Sequence, residues 1–243
     1  MSKYIIRSGI LISSMIASIF TLNAQESKKD SVYTYKEASS HGTGKFYMDR
    51  EIARIISSTG SGWLDRSTRQ EEENSNLAVE KMQLKPTDVV ADIGAGTGYY
   101  SFKIAKYVPQ GKVYAVEIQD PFLKMLNDRI RDSSSKNMEV IKGGEQTPNL
   151  PENSVDCALM VDVYHELMYP KEMLQAIAKS LKKGGRLILM EYRAEDAEIG
   201  ILKLHKTSEK QIKKELEANG FRMVSNGKFL PIQHFFIFTK TAD

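Results

Sequence analysis

The residues best suited to chemistry begin with Asp92-Ile-Gly-Ala-Gly-Thr-Gly98, a glycine-rich turn between an apolar run and a helix-patterned segment. Glycine admits positive φ and lets the backbone approach a ligand closely. The free N–H groups of a following helix suit an anion. The spacing excludes two common uses of such a turn. A dinucleotide fingerprint, GxGxxG, needs glycine at position 99, which is Tyr99. A triphosphate cradle needs Lys and then Ser or Thr after its last glycine, and Gly98 is followed by Tyr99 and Tyr100. Glu117 stands 25 residues after Asp92, at the end of the next apolar run, where a carboxylate can accept both hydroxyls of a ribose. Taken separately, the turn fits a tight connection and Glu117 a solvated strand end. Their joint order and spacing describe a site for a nucleoside carrying a small carboxylate.

A second group is His165-Glu166, just past a later apolar run. An imidazole with an ordinary pKa of about 6.5 can take a proton at neutral pH. His165 is therefore the candidate general base, with Glu166 either orienting the ring or capping the next helix; the alternative is a hydrogen-bonded structural histidine beneath a ligand. Tyr164 is better suited to packing on a ligand than to reacting. Glu191, Tyr192 and Arg193, followed by Lys203, His205 and Lys206, form a third group. Tyr192 and Arg193 suit an acidic or polar substrate, while His205 and Lys206 fall in a segment that is either a lid or a solvated loop. Metal binding is not indicated, because the four histidines form no HExxH or other short pattern. The single cysteine, Cys157, excludes an internal disulfide and a four-cysteine zinc site, and its apolar surroundings suggest an inert thiol.

These residues sit at the ends of regularly spaced elements. Strands are expected at 88–93, 112–117, 138–142, 155–161 and 186–191, with helices between them, the clearest marked by Met173, Leu174, Ile177, Ala178 and Leu181. A helix at 208–219 stops at Gly220, and 221–226 and 232–239 read as two further strands. The fold class is α/β: a doubly wound seven-stranded sheet, mostly parallel, with an antiparallel C-terminal hairpin strand and helices on both faces. Ahead of it, Met48, Ile52, Ile55 and Ile56 fall at helical spacing, the Gly60-Ser61-Gly62 run ends that helix, and a second helix spans 69–84. Residues 46–86 are thus expected to form a helical cap, with Trp63 either a lid aromatic or, in preference, a buried anchor for the glycine-containing loop. Arg50 and Arg66 are free either to reach the cleft or to pair with Glu71 to Glu73.

The chain of 243 residues has 41% apolar and 27% charged residues, a globular composition. Residues 1–24 have the build of a secretory signal peptide: Lys3 and Arg7, then an apolar stretch, then Ala24 before a polar run. Its uncharged stretch from Ser8 to Gln25, 18 residues, is short and polar for a membrane span of about 20 residues. Cleavage would make the protein periplasmic or secreted with no span in the mature chain; without it the protein is membrane-anchored or cytoplasmic. Loss of Lys3 and Arg7 lowers the net charge from +3 to +1, so there is no strong nucleic-acid signal. Residues 25–45 read as a linker, and 87–243 as the ligand-binding domain.

Four blocks, VVADIGAGTGYYS (89–101), VYAVE (113–117), NLPENSVDCALMVDVYHEL (149–167) and LKKGGRLILMEYR (181–193), together resemble class I S-adenosylmethionine-dependent methyltransferases, over about 88–240. The resemblance implies S-adenosylmethionine as cofactor, methyl transfer as the activity and, here, a small-molecule acceptor. It implies that Asp92 orients the turn, that Gly94, Gly96 and Gly98, with Ala95 and Tyr99, pass around the methionine part, and that Glu117 holds the ribose. It places Asp162 to His165, including Tyr164, along the cleft, with His165, Glu166 and Arg193 as catalytic candidates. The family's acidic residue for adenine after the third strand has no clear match; Glu145, Gln146 or a backbone carbonyl is left for it. The run GTGYYSFKIA is also similar to protein-isoaspartate methyltransferases. Two other classes stay open at this stage: an exported binding protein without catalysis, and a nucleotide-dependent oxidoreductase, which Tyr99 argues against.

Overall fold

The computed structural model describes residues 32–133 and 135–241. The signal-peptide reading of residues 1–24 and the start of the linker lie outside them. The described chain opens with an antiparallel sheet of β1 (Tyr33–Tyr35), β2 (Gly42–Tyr47) and β3 (Arg50–Ala53). Strands therefore replace both the end of the expected linker and the first expected helix of the cap. The cause is a two-residue reversal: Met48 and Asp49 take φ of 46° and 75°, and Tyr47 pairs with Arg50. Such turns usually carry Asn or Gly, so Met48-Asp49 gave no turn signal, and Met48 and Ile52 mimicked one helical turn. Lys45 is buried in this sheet, with its ammonium 3.4 Å from the Tyr169 ring centroid.

Gly60-Ser61-Gly62 leads into a helix rather than ending one, α1 (Ser61–Leu64). The helix expected over 69–84 is two, α2 (Arg69–Glu73) and α3 (Ser75–Lys81), because Asn74 at φ 52° is left-handed and breaks the ladder.

From there the expected alternation is observed: β4 (Val89–Ile93), α4 (Tyr99–Tyr107), β5 (Lys112–Glu117), α5 (Asp120–Asp132), β6 (Met138–Lys142), β7 (Val155–Val161), α6 (Pro170–Ser180) and β8 (Leu181–Arg193). The chain finishes with β9 (Lys206–Thr207), α7 (Glu209–Glu217), β10 (Phe221–Gly227) and β11 (Gln233–Lys240). The sheet order is β10-β11-β8-β7-β4-β5-β6, with β9 pairing the end of β8 as a short eighth strand. Strands β8, β7, β4, β5 and β6 are parallel, whereas β11 runs antiparallel between β8 and β10.

Alternation along β7 shows how the core is divided. Ala158 and Met160 face α6 and α7, where Leu174, Ile177, Ile212 and Leu216 are fully buried. Cys157 and Leu159 face α3 and α4, against Ala78, Val79 and Ile104. Each fully buried Leu or Ile contributes about 1.5–3 kcal/mol, so both layers are held to the sheet by ordinary apolar burial. Burial also pushes the Cys157 thiol up to about 12, which fits its inert position. Strand order reverses at β4, leaving a crevice beyond the carboxyl ends of β4, β5 and β7. No described helix is long and apolar enough to cross a membrane.

Candidate active site

That crevice is a cavity of about 810 Å³. Asp92, at the end of β4, is buried and accepts a hydrogen bond of 2.5 Å from the Ser101 hydroxyl, tying the strand to the first turns of α4. Burial pushes its carboxyl up to about 6. The next turn runs along the cavity wall. At Gly94, φ is 77° and an added Cβ would fall 2.5 Å from Val163; at Gly96, φ is 55° and the nearest atom would be Leu64 Cδ1 at 2.9 Å. Only glycine gives this wall its path without strain. The Glu117 carboxylate braces the same turn: Oε2 accepts from the Gly96 N–H at 2.9 Å, and Oε1 accepts from the Ile118 and Gln119 N–H groups at 2.7 and 2.9 Å.

Asp162 follows β7 at φ 53°. Gln233 donates to its Oδ2 at 2.7 Å, while Oδ1 is buried without a hydrogen-bond partner. Burial, reinforced by Glu73 and Glu191, pushes the Asp162 carboxyl well up. A cation brought into the cavity would restore its charge. Arg69 also lines this end, holding Glu73 at 2.8 Å and lying over the Tyr99 ring at 4.4 Å. Ala95, Tyr99 and Tyr100 also line the wall.

The opposite end is built from β8 and two single-turn 3-10 helices. His165 is 1% exposed and lines the cavity. Its Nδ1 lies 2.6 Å from Oε2 of the fully buried Glu191, whose Oε1 accepts from the Tyr164 N–H at 2.8 Å. Burial alone would lower the His165 pKa, but the Glu191 carboxylate more than offsets this and leaves it raised. His165 Nε2 is 3.0 Å from His205 Nδ1, and Glu166 Oε1 is 3.8 and 3.5 Å from these two nitrogens. Glu166 is itself held by the Ile56 N–H at 3.1 Å.

The N-terminal segments complete the walls. Gln119 donates to the Ile56 carbonyl at 2.9 Å, and Asp65 accepts from Thr97 at 2.8 Å and pairs with Arg129 at 2.6 Å. The stretch after β3 is thereby fastened to the segment after β5, and the end of α1 to the glycine turn. Trp63 lines the cavity and is 45% exposed, so it is an aromatic of the opening rather than a buried anchor. Arg66 stacks on it at 3.8 Å while pairing with Glu72 and Glu73, but Arg50 pairs with Glu215 instead of the acidic run. Gly200, Ile201 and Leu202 bring the segment before α7 to the rim.

Three expected site residues are elsewhere. Gly98 lies against Leu126 and Phe102, outside the cavity lining. Tyr164 is fully buried and donates to Glu215 at 2.7 Å. The Arg193 guanidinium donates to the carbonyls of Leu230 and Gln233 at 3.0 Å each, and to that of Pro231, so it ties down the loop before β11 and does not enter the cavity. Glu145 does line the cavity, at an exposed edge, whereas Gln146 does not. Arg69, Tyr100, Gln119 and Leu64 line it without having been singled out; only the Arg69–Glu73 spacing of four carried a sequence signal.

A doubly wound sheet with a glycine turn, a strand-end glutamate and a nucleoside-sized cavity at the switch point defines a class of nucleoside-cofactor proteins. The comparisons narrow the class. Residues 91–189 match the methyltransferase domain family. The ubiquinone/menaquinone biosynthesis C-methyltransferase UbiE of Pseudomonas putida is 28% identical over 118 residues, 48% of this chain and 46% of that protein. The chain spans about half the length of the curated relatives it matches. A SAM-dependent methyltransferase of Aquifex aeolicus superposes with a TM-score of 0.72 at 25% identity, over 76% of this chain and 98% of that one. The cyclase SpnF, at 20% identity and a TM-score of 0.56 over 63% of this chain and 58% of that one, shares the fold alone. Residues 91–189 thus carry a methyltransferase domain, and the chain as a whole is similar to class I S-adenosylmethionine-dependent methyltransferases, whose cofactor is S-adenosylmethionine.

The residues present fit that cofactor. Glu117 stands beside the turn for the ribose hydroxyls, and the lone buried Asp162 oxygen suits an ammonium group. The Arg69 guanidinium, which lines the same end, suits a carboxylate.

Proposed function

We propose that this protein transfers a methyl group to a small, largely apolar acceptor whose one polar atom is held at the His165, Glu166 and His205 face. The observation that carries this reading is that one cavity contains both the braced glycine turn and the Glu191-paired imidazole. S-adenosylmethionine supplies an electrophilic methyl on a sulfonium, and the thioether it leaves is neutral. The protein therefore has little leaving-group work to do, and alignment in a water-poor site accounts for most of the rate. Ile55, Ile56, Leu167, Met168, Met173 and Leu202 supply apolar walls around the acceptor. His165, with Nδ1 committed to Glu191, offers Nε2, paired at 3.0 Å with His205 Nδ1, to the acceptor's polar group or its proton. The similarity to the Pseudomonas C-methyltransferase supports including acidic C–H acceptors beside O–H and N–H ones.

Export remains part of the proposal, on the build of residues 1–24; sequencing the mature N-terminus of the native protein tests it. The activity is tested with isotopically methyl-labelled S-adenosylmethionine in envelope and cytosolic extracts, followed by mass spectrometry. Transfer of label to a small molecule is expected. S-adenosylhomocysteine binding without label in any extract would leave an exported binding protein as the reading.

A further inference from the structure

Two parts of the chain, the adjacent His165 and Glu166 and the distant His205, converge at the acceptor end. His165 Nε2, His205 Nδ1 and Glu166 Oε1 form a triangle with sides of 3.0, 3.5 and 3.8 Å. We propose that this triangle is a binding site for a divalent transition-metal ion of the zinc type, with a fourth position open to the acceptor. The inference deepens the methyl-transfer reading, by naming what would receive the acceptor's polar atom, but the metal site itself rests only on these residues.

Size comes first. A point equidistant from the three atoms lies about 2.0 Å from each, and zinc bonds to His nitrogen and carboxylate oxygen are about 2.0–2.2 Å long. Ligands of a tetrahedral ion with such bonds are about 3.4 Å apart, in the middle of the three sides. Two histidines and one glutamate, leaving one position free, are also an established donor set for catalytic zinc.

The surroundings are those of a held site. Glu191 is an acceptor, so the Nδ1 of His165 must donate to it, and this tautomer leaves a lone pair on Nε2. A carboxylate behind a ligand histidine fixes its ring and raises its basicity. The Ile56 N–H restrains Glu166 in the same way. Glu166 and the buried Glu191 together carry two negative charges, which a dication balances. All three ligand residues line the cavity. His165 and His205 are 40 residues apart, which is why no short metal pattern marks them in the sequence.

The test uses the purified full chain without a histidine tag, stripped with a chelator and then titrated with zinc or cobalt(II). Binding of about one equivalent, a rise in Tm with zinc, and visible cobalt(II) bands of low-symmetry coordination are expected. His205→Gln and Glu166→Gln, each at a half-buried position, should weaken metal binding at least about tenfold. S-adenosylhomocysteine titration of the same samples reads the cofactor end separately. Loss of that binding with metal binding intact would support the metal site while removing the methyl-transfer reading. Failure of the wild-type chain to retain zinc, or undiminished affinity in both variants, would overturn the proposal.

Discussion

Arg50 and Glu215, 165 residues apart, meet through two hydrogen bonds of 2.7 and 2.8 Å in an interior setting. Arg50 also donates to the His165 carbonyl at 3.2 Å, and Tyr164 donates to the same glutamate. One ion pair thus joins β3, α7 and the turn that carries His165. The antiparallel N-terminal sheet is therefore not an appendage: it sets the position of the residues at the acceptor end. Burial alone would lower the Arg50 pKa, but the Glu215 carboxylate more than offsets this and leaves it above its ordinary range.

Removing one partner of this pair should cost much of the protein's stability. Arg50→Ala leaves Glu215 buried without its cation, a loss of about 3–5 kcal/mol. The double replacement Arg50→Met/Glu215→Leu should recover a large part of it. Urea denaturation of the three proteins at neutral pH measures both. Equal destabilisation of the single and double variants would show that packing, rather than charge, joins these elements.

The cofactor end makes a prediction about binding alone. Gly96→Asp places a branched anion at φ 55° on the wall proposed to face the cofactor's carboxylate, and should abolish S-adenosylhomocysteine binding. Glu117→Ala removes the acceptor for Gly96, Ile118 and Gln119 as well as the proposed ribose partner. A hydrogen bond to a charged group contributes about 1.5–3 kcal/mol, so affinity should fall at least about tenfold. Calorimetric titration decides it, and unchanged affinity in either variant would remove the ligand from this wall.

What was legible in the sequence follows from how local each signal is. The strands of the large sheet were readable because both of their faces are apolar, and the turn at Gly94 and Gly96 because positive φ demands glycine. Local periodicity failed at Met48-Asp49, where a reversal without Gly or Asn replaced a helix by a hairpin. Arg193 was misread for a different reason: lying at a strand's carboxyl end made it a site candidate, but direction depends on partners, and its donors are taken by carbonyls of the 230–233 segment. The pairing of His165 with His205 depends on tertiary contact across 40 residues and had no pattern to betray it. Glu191 did carry a signal, a carboxylate closing an otherwise apolar strand.

Asp92 predicts a pH dependence of stability. Its ordinary pKa of 3.8 is pushed up to about 6 by burial, so between these values the native state holds more protons than the unfolded one. Stability from this residue is full below the lower value and is lost as pH rises through the upper one. A shift of this size corresponds to at most about 3 kcal/mol. Asp92→Asn keeps an oxygen for the Ser101 hydroxyl and does not titrate. The variant should gain on the wild type as pH rises from about 4 to about 6 and hold that gain above it. Denaturation of both proteins across this range checks the sign; a gap that widens toward acid pH would contradict it.

His165 separates catalysis from binding. Its imidazole sits at the acceptor end, away from the turn braced by Glu117, so its loss should affect transfer far more than affinity for S-adenosylhomocysteine. His165→Ala would leave the buried Glu191 charge without its partner and confuse rate with folding. His165→Gln avoids this, because its amide can still donate to Glu191 while offering no basic nitrogen. The expected result for His165→Gln is a turnover loss of about 10²–10⁴ with little change in cofactor affinity. Glu191→Gln should lie between it and wild type, since the ring keeps its nitrogen but loses the carboxylate that orients it. Label incorporation and calorimetry on the same preparations give both quantities. Parallel losses of turnover and affinity in His165→Gln would make the imidazole a structural support of the cavity and nothing more.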